Sequence, residues 1–435
     1  MLYYIARPLG TLALKVFYRK IYFSGAEKVP VDKPMLIASN HPTAFCEPIT
    51  LACVLQDVEI NFITRGDLFA KPFYRKCLEA LNMIPIFRFR DGYASLKNNQ
   101  ATMDYVYQAL ADKKAILIFP EGSTKTQKQL RPSQKGAARM AFGNYALHGD
   151  LELHIVPVGL TYTDAHTFRS EILLEVGDPI PLSRYYALYQ ENQNKAINQL
   201  TSDIFTATKP LLVIIEKEED EPVVEHLLEL YRNTFPDKAV FPIFKQNHRR
   251  LEAEREIANN FYQKLSDTQR IDLKKDINQY FQSLNDAKVT DFAVAQPYHA
   301  HFSKTIALCL GFLPFCIGYA LHFPALWYAK NIRDNRVEQL EFKAPVTIGV
   351  GVGSVILSYL IFLIILILVN KPIVWGFGFL IPFLGFYAVL YYDFWKRYQA
   401  CQNIATIPPA TMSHWQSKRD ELLERVRRPA PITVS

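Results

Sequence analysis

The stretch from Val346 to Val369 contains no charged side chain. As a helix rising about 1.5 Å per residue it is long enough to cross a hydrocarbon layer of ~30 Å. Two further stretches, Thr305 to Ala329 and Ile373 to Tyr392, reach a similar length. A chain with these segments cannot be folded as one water-surrounded globule, so membrane helices are expected at 304–395. Asn370, Lys371 and Pro372 leave room only for a tight turn, and the second and third stretches are therefore expected to form a hairpin. The first stretch carries Pro314, Pro324 and His322, which weaken a straight crossing and suggest a kinked or re-entrant element.

Charge gives an orientation. Lys396, Arg397, Lys418, Arg419, Arg425, Arg427 and Arg428 make the segment 396–435 basic, which favours the cytoplasmic side. Three full crossings would put that tail opposite the N-terminal part of the chain. An even number avoids this, so two spans and a first segment that dips in and returns are expected.

The remainder is too apolar for disorder, at 49% hydrophobic and 13% aromatic residues over 435 positions. A net charge of +7, spread along the chain, is too diffuse to argue for nucleic acid. It suits an anionic membrane surface or phosphorylated substrates. The six cysteines include no C-x-x-C pair, which fits reduced thiols and gives no zinc pattern. Residues 1–25 are aromatic and apolar but broken by Arg7, Lys15, Arg19 and Lys20. They read either as a membrane-associated amphipathic segment or as an amphipathic helix packed on its own domain.

Between residues 26 and 182, short apolar runs alternate with helical stretches. "MLIAS", "INFIT", "AILIFP", "LHIVPVGLTY" and "ILLEVGDPI" read as strands. "PITLACVLQ", "ASLKNNQATMDYVYQAL" and "KGAARMAFGNYALHG" read as helices. The alternation argues an α/β domain whose apolar strands are covered on both faces by helices. Residues 183–303 are charged and helix-favouring, and read as a helical subdomain in which no site is apparent.

Three polar breaks carry chemistry. In "NHPTAFCEP", His41 and Glu47 lie six positions apart, about 240° around a regular helix. They can cooperate only if His41 sits in a loop that Glu47 closes, with Pro48 opening the helix. The carboxylate would then hold the imidazole tautomer, or would simply complement the helix N-terminus. In "IPIFRFR", Arg88 and Arg90 point to one side if the segment is extended, as a phosphate clamp or as an exposed edge strand. "AILIFPEGSTK" runs a strand into a turn bearing Glu121, Gly122, Ser123 and Lys125, at the kind of strand end where ligands commonly sit.

In this order and spacing, and with "IVPVGL" at 155–160, these blocks resemble the glycerolipid acyltransferase family, which includes glycerol-3-phosphate and lysophosphatidic acid acyltransferases. The resemblance covers about residues 30–180. It implies an α/β acyltransferase domain that moves a fatty acyl group from acyl-CoA or acyl-carrier protein to a glycerol-phosphate acceptor, beside membrane lipid and on the cytoplasmic face. It implies His41 as general base, Glu47 as its orienting acid, Arg88 and Arg90 on the acceptor's phosphate, and Glu121 and Gly122 on its glycerol part. Ser123 and Lys125 are added from charge and position, with Lys135 as a further cation beside them. No metal or organic cofactor is implied, since the thioester is already activated, and Cys46 is expected to be a bystander.

The departures are specific. The commoner family spacing would place the acid at Cys46, and the branch with the longer spacing carries aspartate where this chain has Glu47. Thr124 stands where an arginine often follows the third block, and Pro85 or Ile84 where the second usually has a glycine. The longer spacing and the C-terminal membrane segments favour glycerol-3-phosphate over lysophosphatidic acid. The alternatives are another lysolipid acceptor, or a non-catalytic lipid-binding membrane protein whose acid has drifted.

Overall fold

A computed structural model describes residues 2–87, 99–297, 302–369 and 372–427. The chain divides into two compact units. The first comprises Met1–Val213, Phe241–Leu251 and Gln339–Pro345. The second comprises Ile214–Val240, Glu252–Glu338 and Val346–Ser435.

The first unit is built on a sheet of β1 (Lys20–Ser24), β2 (Met35–Ser39), β3 (Ile60–Arg65), β4 (Met83–Ile86), β5 (Ala115–Ile118), β6 (His154–Tyr162), β7 (Glu171–Val176), β8 (Ile180–Pro181) and β9 (Phe244–Gln246). The order is β4-β3-β5-β2-β6-β7-β1-β9, with β8 on β6. Strands β4, β3, β5, β2 and β6 run parallel, and the direction reverses at the antiparallel β6–β7 pair. The carboxyl ends of β2, β5 and β6 are therefore neighbours at one edge, which is where the site lies.

The strands are apolar on both faces for a simple reason. Leu36 and Ala38 of β2 bury against α4 (Asn99–Ala111), α5 (Gly136–His148) and α7 (Gln193–Thr208), together with Val106, Phe142, Leu200 and Ile204. Met35 and Ile37 are equally buried but point the other way, as the two-residue period requires. The preceding helices are α1 (Leu2–Phe17), packed on α2 (Cys46–Val54), and α3 (Pro72–Ala80).

Three features depart from the expected layout. Part of the aromatic segment 1–25 is a strand: β1 pairs with β7 and β9, and Lys20 Nζ donates to the Pro242 carbonyl at 2.8 Å. Strand β9 comes from the stretch expected to be helical. The compact unit also continues past residue 182 through α6 (Tyr186–Glu191) and α7 to Val213. Long-range pairing decides these cases, and no local periodicity announces them.

In the second unit lie α8 (Glu221–Thr234), most of α9 (His248–Gln263), α10 (Asp267–Asp286), α11 (Asp291–Ala295), the long α12 (Phe302–Arg336), α13 (Leu340–Val369 beyond its first turn), α14 (Pro372–Gln402) and α15 (Pro409–Glu424). Helix α10 opens with a capping box, Ser266 and Gln269 each satisfying the other's backbone N–H. Helix α15, in the segment expected as a basic tail, docks on the helices before the membrane region. Buried Arg419 donates to Asp291 at 2.9 Å, and Asn260 to the Val426 carbonyl at 2.8 Å.

Among the described residues, three helices are long and apolar enough to cross a membrane. Helix α12 runs unbroken through Pro314 and Pro324. It packs tightly on α14 at glycines, since a Cβ on Gly318 would lie 2.1 Å from the Leu384 carbonyl. Close approach at small residues is the usual basis of helix pairing in lipid. His322 is satisfied by the Gly318 carbonyl at 2.8 Å and Tyr359 Oη at 2.7 Å. Asn370 and Lys371 of the expected turn, and Arg428 of the tail, lie outside the described residues.

Candidate active site

The loop from Asn40 to Phe45 leaves the end of β2 and feeds directly into α2. Its first residue is clamped to the neighbouring strand: Asn40 Nδ2 donates to the Leu160 carbonyl at 2.9 Å, and the Leu160 N–H donates to Asn40 Oδ1 at 2.8 Å. This two-way amide pairing extends the β2–β6 ladder by one residue and fixes where His41 leaves the sheet. The imidazole, 14% exposed, stacks on Phe119 at 3.8 Å between ring centres with a 9° tilt. Phe119 follows β5, so the ring is braced by the adjacent strand.

His41 Nδ1 lies 3.0 Å from Glu47 Oε2. Helix α2 starts at Cys46, so Glu47 is its second residue and not part of the loop, and Pro48 stands third. Proline is tolerated there because the first turn's N–H groups have no intrahelical partner. The Glu47 side chain is fully buried. Its other oxygen accepts from the Thr43 N–H at 2.9 Å, Thr43 Oγ1 at 2.7 Å and Tyr162 Oη at 2.9 Å. A buried carboxylate is tolerable only with such a full set of donors. Burial, and next the Glu47 charge, raise the Tyr162 phenol well above its ordinary range, so Tyr162 stays protonated and donates.

A carboxylate that accepts a hydrogen bond from Nδ1–H leaves the Nε2 lone pair as the basic position of a neutral imidazole, and stabilises the ring once Nε2 is protonated. Cys46, at the position the shorter spacing would give the acid, is fully buried. Burial, with Glu47 adding to it, pushes its thiol up to about 12, so it is no thiolate nucleophile at neutral pH.

The third block closes the site from β5. Gly122 has φ +69°, the left-handed turn that glycine adopts without strain, and its N–H donates to the Phe119 carbonyl at 3.0 Å. Glu121 is nearly buried, ion-paired with Arg131, and accepts from the His41 N–H. Burial raises its carboxyl above the usual value despite the cation beside it. Ser123 and Lys125 are exposed at the mouth. Ser123 Oγ accepts from Arg131 at 2.6 Å, and the Lys125 N–H donates to the His41 carbonyl at 3.3 Å. His41, Glu47, Glu121, Gly122, Ser123 and Lys125 are thus drawn into one place, whereas Lys135 is an exposed residue at the start of α5. Arg88 and Arg90 lie outside the described residues. Strand β4, which precedes them, runs parallel to β3 and ends at Ile86 on the same edge of the sheet as His41.

Sequence reasoning passed over Asn40, Thr43, Phe119, Arg131 and Tyr162 as working residues. Tyr162 had a signal, as the hydroxyl-bearing end of an otherwise apolar strand directly after the fourth block. Arg131 had none, because only the fold brings it back onto Glu121.

A family model described as Acyltransferase matches residues 20–161. Glycerol-3-phosphate O-acyltransferase 1 of Saccharomyces cerevisiae is 29% identical over 59% of this chain and 34% of its own length. Glycerol-3-phosphate O-acyltransferase 2 of the same yeast is 30% identical over 47% of this chain and 27% of its own. The chain thus spans about a third or less of these curated relatives. The crystal structure of the 1-acyl-sn-glycerophosphate (LPA) acyltransferase of Thermotoga maritima aligns with 47% of this chain and 79% of its own, at 15% identity and a TM-score of 0.35. Residues 20–161 thus match the Acyltransferase family model, and over about half of its length this chain is similar to the two yeast glycerol-3-phosphate O-acyltransferases.

Proposed function

We propose that this protein is a membrane-bound O-acyltransferase that moves a fatty acyl group from acyl-CoA or acyl-carrier protein to glycerol-3-phosphate. The observation that carries the reading is the His41–Glu47 pair at 3.0 Å, with Nδ1 held by the carboxylate. The acceptor hydroxyl gives its proton to His41 Nε2 as its oxygen attacks the thioester carbonyl. Collapse of the tetrahedral intermediate forms the ester and breaks the carbon–sulfur bond. The imidazolium then returns the proton to the departing thiolate. General base catalysis of this kind is worth about 10²–10⁴-fold. Glycerol-3-phosphate is preferred to lysophosphatidic acid because both similar yeast proteins are glycerol-3-phosphate O-acyltransferases. Arg88 and Arg90 take the acceptor's phosphate, Lys125 and Ser123 supply further contacts at the mouth, and Glu121 with Gly122 shapes the turn against which the glycerol part sits.

The catalytic domain belongs on the cytoplasmic face. Helices α8–α11, before the apolar helices, and α15, after them, pack on one another, which supports an even number of membrane crossings between them. The basic residues Lys396, Arg397, Lys418 and Arg425 then favour the cytoplasm for both.

The test is acyl transfer by the purified protein in liposomes, with each donor offered to glycerol-3-phosphate and to lysophosphatidic acid separately. Transfer to glycerol-3-phosphate that disappears in His41→Ala supports the reading. Transfer to lysophosphatidic acid alone corrects the acceptor, and no transfer to any lysolipid by folded protein leaves a lipid-binding protein instead.

A further inference from the structure

Residues 339–345 lead into and open the long apolar helix α13, yet they cluster with the acyltransferase unit. Their contacts are with the catalytic loops. The Ala44 N–H donates to the Glu341 carbonyl at 3.1 Å. The Thr126 N–H reaches the Glu341 carboxylate at 3.4 Å. The rings of Phe45 and Phe342 meet edge-on, with centres 6.5 Å apart. Ala44 and Phe45 belong to the loop that separates His41 from Glu47, and Phe45 is the residue from which α2 springs. Thr126 belongs to the third-block loop, which is itself tied to the first: Thr126 Oγ1 donates to the Pro42 carbonyl at 2.9 Å.

We propose that Glu341 and Phe342 are positioning residues, a strap that holds the His41–Glu47 loop and the Glu121–Thr126 loop in register from the first turn of α13. This rests on the catalytic reading of His41 and Glu47. The physical argument is one of loop entropy. The segment from His41 to Phe45 has neither a strand ladder nor a helix to fix it, and each unrestrained residue has free energy of order 1 kcal/mol to gain by moving. Misplacing a general base by a fraction of an ångström lowers its efficiency sharply. Glu341 joins both loops with one residue, through its main chain to one and its side chain to the other, and Phe342 adds an apolar contact at the start of α2.

Two measurements test the strap in the full-length protein in liposomes. Glu341→Ala should lower kcat about 3- to 10-fold, the factor of one net hydrogen bond, with a smaller change in KM and no change in melting temperature. Glu341→Gln, whose amide oxygen still accepts from Thr126, should restore it. A merely structural role would give no such rescue, and wild-type kinetics for Glu341→Ala with Phe342→Ala would overturn the positioning role. Independently of activity, Thr126→Cys/Glu341→Cys should be joined by a short bismaleimide, so that fragments cleaved between the two positions stay linked. Absence of the cross-link in active enzyme overturns the strap alone. A cross-link in a protein that acylates no acceptor overturns the catalytic reading, and the positioning role with it.

Discussion

His41 reaches Glu47 across the first turn of α2, Nδ1 to Oε2 at 3.0 Å, while the other carboxylate oxygen is held by Thr43 and Tyr162. The acid is one residue farther along than the commoner spacing and one methylene longer than aspartate. The extra reach lets it return from the second residue of a helix to a ring in the preceding loop. The expected outcome is that Glu47→Asp fails to substitute. It should lower kcat at least tenfold, as should Glu47→Gln, while His41→Ala should lose about 10²–10⁴-fold. Steady-state kinetics on glycerol-3-phosphate check this. Glu47→Asp at the wild-type rate would refute the reach argument.

Tyr162→Phe removes one of the four donor contacts to a fully buried carboxylate. The expected cost is about 1–3 kcal/mol in stability, read from denaturant unfolding of the solubilised protein. The remaining donors keep Glu47 in place, so kcat should fall far less than in Glu47→Gln. An equal loss of kcat would mean that Tyr162 acts on substrate directly.

Cys46 lies between His41 and Glu47 in the chain but is chemically quiet. With its thiol raised to about 12 by burial and by Glu47, it should resist alkylation at pH 8 in the folded protein. Cys46→Ala should retain activity to within a fewfold. Mass spectrometry after iodoacetamide treatment distinguishes it from the partly exposed Cys77 of α3, and rapid labelling of Cys46 would show that the loop opens.

Arg131 lies on Glu121, whose carboxylate also holds the His41 N–H. Arg131→Met should cost on the order of 3 kcal/mol, because removing one member of a largely buried pair strands the other. It should also loosen the backbone at His41. Hydrogen exchange at residues 41–45, compared between variant and wild type, is the measurement, and unchanged protection would sever the link.

In the helical subdomain, burial and then the charge of Asp291 raise Glu229 from its usual 4.5 to about 7. The folded state therefore holds a proton that the unfolded state has released between those values. Stability from this group is fully present below pH 4.5 and is lost as pH rises through about 7. Glu225, Arg232 and His226 on α8, with Asp291 on α11, are the other ionisable groups acting here. Glu229→Gln should flatten the decline in subdomain stability between pH 5 and 8, followed by thermal unfolding, and a slope identical to wild type would assign it elsewhere.

Several of these features were legible before any coordinates. The mostly apolar runs at 35–39, 60–64 and 115–118 are strands because short rows rich in Ile, Leu, Ala and Phe suit a sheet covered on both sides. The charge-free stretch ending at Val369 has to be a long apolar helix because no other backbone form satisfies its own polar groups in lipid. The order of the polar blocks carried the resemblance that the Acyltransferase model matches at residues 20–161, and the spacing of His41 and Glu47 already required a loop and a helix start between them.

What the sequence could not fix are the relationships made by distance along the chain. Strand β1 is a strand through residues about 150 and 220 positions away, β7 and β9. Tyr162 meets Glu47 from 115 residues later, and Thr126 meets Glu341 across 215. Composition and periodicity report how a segment partitions between water, sheet and lipid, which is a local property. Which donors satisfy a buried carboxylate, and which turn braces a catalytic loop, is decided by packing among elements that the sequence keeps apart, and only the tertiary structure supplies it.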